Sequence, residues 1–271
     1  MVAYPVFFVN AFTGKYYQGN TAAVLLLDTY PPKARMQRLA KEFGFSETVF
    51  VVKESAELFR IRWFTPETEV KLCGHGTLAA ATVLFAEGAV SGDRLTFLSR
   101  SGQLHISHHN ATITMDFPRD EPMEIPLRQN LAAALTSIEP ICSLYAPNTR
   151  NLIYVYTDAQ TVVDMCPDFQ RLAQLQDDRV FGIIVTAGQW NGYHYVCRYF
   201  APWEGIWEDP VTGSAQVSLA PYWGKRLHKL TLKGYQASGR GGRFQVSLKR
   251  NRVLIKGRAF IYLKGQLARG F

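Results

Sequence analysis

The sequence predicts an α+β protein built from two similar domains, each a curled, mostly antiparallel sheet around a central helix. Three observations support this prediction. Short strand-like segments are many and helical segments few, which argues against a regular alternation of strands and helices. One helical segment, residues 77–87, is apolar on nearly every side and must be buried all round. A pattern of residues in the first half of the chain reappears in the second.

Strand character, judged from β-branched and aromatic residues, recurs along the whole chain. In the first half it predicts strands over residues 4–10, 22–27, 48–52, 58–64, 94–98, 103–107 and 111–116. In the second half it predicts strands over residues 141–145, 151–156, 181–185, 193–200, 231–237, 244–248 and 253–261.

Helical spacing predicts three helices. The first covers residues 32–43 and is followed by Gly44, and the second covers residues 77–87. The third begins near Gly213. It contains Pro221, which should shorten or bend it because proline has no N–H to donate.

Two segments share the order arginine, aromatic residue, phenylalanine, any residue, proline. One starts at Arg62 and the other at Arg198, 136 positions later. Each is followed by a loop and a glycine that precedes a helix, and these glycines, Gly76 and Gly213, are 137 positions apart. We interpret the matches as two copies of one supersecondary unit related by a pseudo-twofold axis. The alternative is a coincidence of common turn residues.

The proline-rich and acidic segment 118–126 predicts a connector between the two domains. We therefore expect residues 1–117 to form the N-terminal domain and residues 118–258 to form the C-terminal domain. A last strand over residues 259–271 is expected to rejoin the N-terminal domain.

Composition and charge exclude several classes of function. The net charge is +8, but the basic residues are scattered, which favours a small anionic ligand over a nucleic acid. The longest apolar runs fall well short of the roughly 20 residues that span a membrane. The cysteines form no CxxC pair, so we expect reduced thiols and a cytoplasmic protein; they are Cys73, Cys142, Cys166 and Cys197.

Cofactor motifs are lacking in the sequence. It contains neither a Walker loop nor a Gly-x-Gly-x-x-Gly turn after a strand, so no nucleotide cofactor is expected. His105, His108 and His109 have no cysteine or acid at a ligand spacing and are interpreted as a polar strand end. We therefore predict no cofactor and no metal.

The glycine turns before two predicted helices are candidate anion sites. A helix start has unpaired N–H groups and a partial positive charge, and glycine lets a ligand approach them closely. If the pseudo-twofold holds, the turns at Gly76 and Gly213 face one cleft and hold a carboxylate between them. Ordinary helix capping is the alternative.

Three ionisable residues accompany these turns. His75 lies inside the first turn, and Asp209 lies just before the second. Glu47 enters a segment that is otherwise apolar. The pattern leaves two alternatives open for Glu47: a carboxylate turned to solvent, or a buried one suited to proton transfer.

Seven short segments carry the motifs of a known family: residues 10–13, 19–20, 46–48, 63–66, 72–75, 200–203 and 208–215. Through them the chain resembles the phenazine-biosynthesis-like (PhzF-like) isomerases, and most closely the vertebrate MAWD-binding-protein-like members. The resemblance implies the diaminopimelate epimerase-like fold, in which the site lies between two similar domains.

The resemblance also implies a reaction and its residues. Glu47 matches the general acid/base that moves a proton between carbons of a small carboxylate substrate without a cofactor. His75 and Asp209 match residues that orient the substrate and assist the proton transfer. The residues expected to bind the substrate are Ser46, Gly76, Thr77, Gly213 and Ser214.

Two other functions remain as alternatives. One is a fold-retaining protein-binding module with little or no catalysis. The other is an amino-acid racemase or epimerase, whose relatives use two facing cysteines; Cys73 matches the first, but no cysteine stands at the second place near Asp209. We also expect a homodimer, because symmetric dimers are the commonest oligomers.

Overall fold

The computed structural model describes residues 4–268. It divides into two compact units: unit 1 comprises the residues up to Asp116 and those from Ile255, and unit 2 comprises Phe117–Leu254. The chain leaves unit 1 after Asp116, one position before the expected boundary, and returns to it after Leu254, four positions before the expected boundary. Both points lie within strands rather than in loops.

Seventeen strands and six helices make up the described chain. The strands are β1 Tyr4–Ala11, β2 Asn20–Leu27, β3 Glu47–Lys53, β4 Leu58–Phe64, β5 Glu69–Val70, β6 Arg94–Ser99, β7 Gly102–His109, β8 Thr112–Pro118, β9 Met123–Glu124, β10 Cys142–Ala146, β11 Asn151–Val155, β12 Gly182–Trp190, β13 Tyr193–Phe200, β14 Thr231–Gln236, β15 Gly242–Lys249, β16 Arg252–Gly257 and β17 Ala259–Leu267. The helices are α1 Lys33–Phe43, α2 Gly74–Ala86, α3 Gln129–Leu135, α4 Ala159–Val163, α5 Phe169–Gln174 and α6 Gln216–Leu227.

The two units pair their strands in the same way. In unit 1 the sheet runs β17, β1, β2, β3, β4, β6, β7, β8, with parallel pairing only at β2–β3 and β4–β6. In unit 2 it runs β9 to β15 in chain order, with parallel pairing only at β11–β12 and β13–β14. The prediction of two similar, mostly antiparallel halves with few helices is confirmed.

The apolar helix of unit 1, α2, is buried as predicted. It contacts β1, β2, β3 and β17, and ten of its thirteen residues are buried. A helix with apolar residues on every side needs this enclosure, because any exposed face would leave apolar surface in water. The sheet therefore curls around α2.

Helix α6 takes the corresponding place in unit 2. The indole N–H of Trp223 donates to Thr186 Oγ1 in β12 at 3.0 Å, and its rings stack with Tyr195 of β13. Of the two effects expected of Pro221, shortening or bending, the helix does not show shortening. Proline removes one intrahelical donor, but the freed carbonyl of Val217 accepts a hydrogen bond from Asp120 N–H at 3.2 Å, and the helix continues to Leu227.

The starts of both central helices differ from the prediction. Helix α2 begins at Gly74, three residues before the predicted start, because the side chain of Cys73 caps it. Helix α6 begins at Gln216 rather than near Gly213. The residues between form a tighter turn, in which the N–H of Gln216 donates to the Gly213 carbonyl.

Two further predictions are corrected by the structure. The single strand predicted over residues 253–261 is two strands, β16 and β17, separated at Arg258. The sequence reading also missed the short helices α3, α4 and α5. Two of them are capped by aspartates, because Asp158 accepts from Thr161 N–H and Asp168 from Arg171 N–H.

Smaller helices cover the other face of each sheet. In unit 1, α1 packs Met36 and Ala40 against Phe50 and Phe64. In unit 2, residues from α3, α4 and α5 pack against β11, β12 and β13. Among residues 4–268, no helix is long and apolar enough to cross a membrane.

Candidate functional site

The starts of three neighbouring elements bring polar side chains together in unit 1. Asn20 opens β2, and Glu47 opens the parallel strand β3 beside it. His75 lies in the first turn of α2. Because parallel strands begin at the same edge of a sheet, Asn20 and Glu47 meet the start of the helix that this sheet encloses.

Glu47 and His75 are in contact and buried. His75 Nε2 lies 2.7 Å from Glu47 Oε2, and the exposed fractions of the two side chains are 4% and 11%. The two atoms are close enough for an ion pair, but Oε2 is buried and makes no well-aligned hydrogen bond among the described residues. Within residues 4–268, the second oxygen of Glu47, Oε1, has no hydrogen-bond partner. Of the two alternatives left by the sequence, the buried carboxylate is the observed one.

The other ring nitrogen of His75 is held by Asn20. Asn20 Nδ2 lies 3.1 Å from His75 Nδ1 and donates to it when that nitrogen is unprotonated; when the ring is charged, Nδ1 is itself a donor and the amide must turn its Oδ1 towards it. This contact fixes the orientation of the ring and keeps Nε2 directed towards Glu47. Sequence reasoning noted Asn20 only as part of a turn motif and did not assign it to the site.

Cys73 caps the helix beside this pair. Its sulfur accepts a hydrogen bond from Gly76 N–H at 3.2 Å. Burial, reinforced by the charge of Glu47, raises the pKa of the Cys73 thiol to about 11. At neutral pH Cys73 is therefore a thiol, which suits a cap and not a catalytic base.

Electrostatics favour a charged His75. Burial alone would lower the pKa of His75, but the sulfur of Cys73 and the carboxylate of Glu47 raise that pKa well above its usual value. Since Cys73 is neutral near pH 7, the contact with Glu47 is the cause that operates there. The contact with Glu47 therefore favours the charged form of the buried His75 ring.

Glu47, Cys73 and His75 also have the side-chain types of a metal site, with ligand atoms within 4.8 Å of one another. The sulfur, however, lies 3.6 Å from Nδ1 and 3.9 Å from Nε2. These nearly equal distances place it beside the ring and away from the direction of either nitrogen lone pair. One ion cannot reach both Nε2 at about 2.0 Å and the sulfur at about 2.3 Å unless the side chains move.

The expected substrate-binding residues of unit 1 have different surroundings. Ser46 is half-buried in the bend before β3. Gly76 is closely packed, because a Cβ atom there would lie 2.8 Å from Trp63 Cδ1 and 3.0 Å from the Cys73 sulfur. Thr77 is fully buried, and its hydroxyl donates to the Cys73 carbonyl at 2.6 Å. The Thr77 hydroxyl is thus engaged within the first turn of the helix.

Unit 2 holds the remaining expected residues. Asp209 is buried, and its Oδ2 accepts a hydrogen bond from the Thr212 hydroxyl at 2.5 Å. Gly213 is buried and Ser214 half-buried, in the turn that precedes α6. Sequence reasoning did not assign Thr212, nor the buried Gln236, whose amide bonds to this loop. The sequence signal that could have pointed to Thr212 was its position directly before Gly213, the glycine that precedes the helix in the repeated pattern.

Two comparisons of sequence relate the chain to known proteins. The family PhzC-PhzF, described as phenazine biosynthesis-like protein, matches residues 9–265. An uncharacterized isomerase of Pseudomonas aeruginosa is 43% identical over 262 residues, covering 96% of each chain. The human phenazine biosynthesis-like domain-containing protein is 36% identical over 285 residues, covering 97% of this chain and 98% of its own.

Solved structures agree with these relatives. The crystal structure of a phenazine biosynthesis protein of the PhzF family from Enterococcus faecalis aligns with a TM-score of 0.92 and 42% identity, covering 98% of this chain and all of that one. A hydroxyproline epimerase from Agrobacterium vitis, with bound trans-4-hydroxy-L-proline, aligns with a TM-score of 0.66 at 12% identity, covering 98% and 93%. At that identity the likeness concerns the fold alone, and the fold is the one shared by these epimerases.

Proposed function

Because the chain belongs to the phenazine biosynthesis-like (PhzC-PhzF) protein family and has an isomerase-type function, we propose that it moves a proton between two carbons of a small carboxylate substrate, with Glu47 as the acid/base and no cofactor. The observation that carries this proposal is the buried contact between Glu47 and His75, in which Oε1 of Glu47 is left without a partner.

The proposed reaction has two proton transfers. In the first, Glu47 Oε1 takes a proton from a carbon of the substrate, and the electron pair of that C–H bond shifts into the substrate's conjugated system. In the second, the neutral carboxyl of Glu47 returns the proton to another carbon, and the shifted double bond remains. Protons and electrons balance within the substrate, so the step needs no external oxidant or reductant.

His75 supports both transfers in this proposal. As an imidazolium it holds Oε2 of Glu47 and keeps the carboxylate ionised and oriented before the first transfer. The Asn20 amide holds the ring from its other side, accepting from Nδ1–H through Oδ1 while the ring is charged. Removing either contact should therefore slow the reaction by misorienting Glu47, while the fold is retained.

The substrate class follows from the polar groups at the helix starts. We propose that backbone N–H groups around Gly213 and Ser214 bind its carboxylate, since N–H groups at a helix start favour anions. Asp209 is proposed to assist in orienting the substrate. The net charge of +8 favours an anionic ligand as well. A homodimer and a cytoplasmic location stay predictions.

The test is isotope exchange in deuterated water. The probes are a panel of amino acids, 2-hydroxy acids and unsaturated cyclic amino carboxylates, each followed by mass spectrometry. We expect the native protein to incorporate deuterium at carbon into at least one probe and Glu47→Gln to lose at least about 100-fold in rate.

The matched control is Glu42→Gln, an exposed carboxylate at the end of α1, which should exchange at the native rate. Equal exchange by Glu47→Gln and native protein would refute the role of Glu47. If native protein neither deuterates any probe nor converts it to an isomer separable by chromatography, the proposed reaction on this substrate class is wrong.

A further inference from the structure

The loop before α6 in unit 2 is held by a glutamine from a neighbouring strand. Gln236 is the last residue of β14 and is completely buried. Its Oε1 accepts from the backbone N–H of Thr212 at 2.8 Å. Its Nε2 donates to the Asp209 carbonyl at 2.7 Å and to the Thr212 hydroxyl at 3.1 Å.

These partners determine the orientation of the amide. The Thr212 N–H needs an acceptor and the Asp209 carbonyl needs a donor, so a rotated amide would make both contacts repulsive. Both hydrogens of Nε2 and one lone pair of Oε1 are therefore used on one short loop. A buried glutamine that bonds only to this loop serves to hold it.

The same contacts orient the proton of the Thr212 hydroxyl. That oxygen accepts from Gln236 Nε2 and donates its single proton to Asp209 Oδ2 at 2.5 Å. Because the accepting direction is occupied by Gln236, the proton is directed at the carboxylate. Gln236 thus reaches the Asp209 side chain through Thr212.

Unit 1 has no such contact at the matching place among its described residues. Ser99 ends β6 as Gln236 ends β14, and its hydroxyl donates to Gly102 within its own turn. A second contact is common to both units: Ser101 donates to the Lys71 carbonyl and Ser238 to the Pro210 carbonyl. The serine contact therefore occurs in both units. Among the described residues, the glutamine contact occurs in unit 2, which also contains Asp209.

We infer that Gln236 is a positioning residue for the reaction, acting through Thr212 to orient the carboxylate of Asp209. The inference rests on the proposed function, because it assumes that Asp209 assists the reaction. Gln236 touches neither substrate nor reacting atoms in this account.

The test compares two variants at Gln236 with a control in the same hairpin. Gln236→Met keeps the volume and removes every hydrogen bond, whereas Gln236→Glu keeps the acceptor for Thr212 N–H and loses the donors when ionised. Gln245→Met changes an exposed residue of β15. We expect Gln236→Met to lower the deuterium-exchange rate by about 100-fold, as small displacements of catalytic groups do, and Gln245→Met to leave it unchanged.

A double-variant cycle separates positioning from a general loss of structure. If Gln236 acts through Asp209, Gln236→Met should cause no further loss of rate in an Asp209→Asn background. Losses that multiply in the double variant would overturn the inference, as would a native rate in Gln236→Met. The Gln236→Glu variant should exchange as slowly as Gln236→Met.

Amide hydrogen exchange gives a readout that needs no substrate. We expect the Thr212 amide to lose protection in Gln236→Met and to retain part of it in Gln236→Glu, with β14 and β15 unchanged in all variants. Full protection of Thr212 in Gln236→Met would overturn the inference even if no probe is a substrate. A native protein that exchanges no probe contradicts the proposed function, and with it the positioning role of Gln236 in the reaction. The protection of the Thr212 amide still decides separately whether Gln236 holds the loop.

Discussion

Glu47 and Gly182 occupy matching places in the two units. Glu47 opens β3 beside the parallel strand β2, and Gly182 opens β12 beside the parallel strand β11. In both strands the following residue pairs with the phenylalanine of the repeated motif, Phe64 in unit 1 and Phe200 in unit 2. One backbone position therefore holds an acid in one unit and no side chain in the other.

The space at Gly182 is already filled by a neighbour. A Cβ atom at Gly182 would lie 2.3 Å from the hydroxyl oxygen of Tyr199, which donates to Asn151 at 3.0 Å. Unit 2 therefore has no room for an acid where unit 1 has Glu47. The repeat preserves the framework of the fold, whereas Glu47, the proposed acid/base, lies at the place where unit 1 departs from it.

The common framework includes a matching ion pair. Arg62 makes two hydrogen bonds to Glu69, at 2.7 and 2.9 Å, and Arg198 makes two to Glu208, at 2.7 and 3.0 Å. Each guanidinium also lies just over 5 Å from the ring of the phenylalanine two residues later. The repeated motif in the sequence thus corresponds to a repeated set of contacts.

Breaking these ion pairs should have the largest effect on stability, and an unequal one. Arg198 is buried and also donates to main-chain carbonyls, including that of Val163, so Arg198→Gln should cost about 3 kcal/mol of unfolding free energy. Arg62→Gln should cost less, because Glu69 keeps ion pairs with Lys33 and Arg100. Urea denaturation measures both. Equal losses would show that the two pairs are energetically equivalent.

Adding a methyl group at Gly182 tests whether unit 2 excludes a side chain at the place of Glu47. The clash with Tyr199 should make Gly182→Ala less stable by about 1–3 kcal/mol. The control is Gly239→Ala, because no atom lies within 4 Å of a Cβ at Gly239. Thermal unfolding compares them. A Gly182→Ala variant as stable as the control would show that unit 2 has room for a side chain at this position.

The strands were predictable from the sequence because their apolar and β-branched residues follow local rules. Segments such as β4 and β13 were predicted with the bounds that the structure has. The start of α2 was missed because its cap is a cysteine sulfur, which is rare beside the usual Ser, Thr, Asp and Asn caps. The continuation of α6 past Pro221 depends on Asp120, a partner distant in sequence.

The site was predicted only in part for the same reason. Glu47 and His75 stood out as ionisable residues in unusual surroundings. Asn20 and Gln236 are neutral amides whose roles arise from contacts across 55 and 24 positions of sequence. Local patterns do not reveal such contacts. The family motif at residues 19–20 marked Asn20 without giving it a role, and Gln236 lay in no motif.

The central claim is that the side chain present in unit 1 and absent from unit 2 forms a charged pair with His75. Nitrogen-15 NMR of the imidazole measures this directly. We expect His75 to be an imidazolium at pH 7 and to lose its proton only above that pH, since Glu47 raises its pKa. We also expect Glu47→Gln to lower the pKa of His75, because burial then acts without the carboxylate. A neutral His75 at pH 7, with a pKa unchanged in Glu47→Gln, would show that the two side chains form no charged pair.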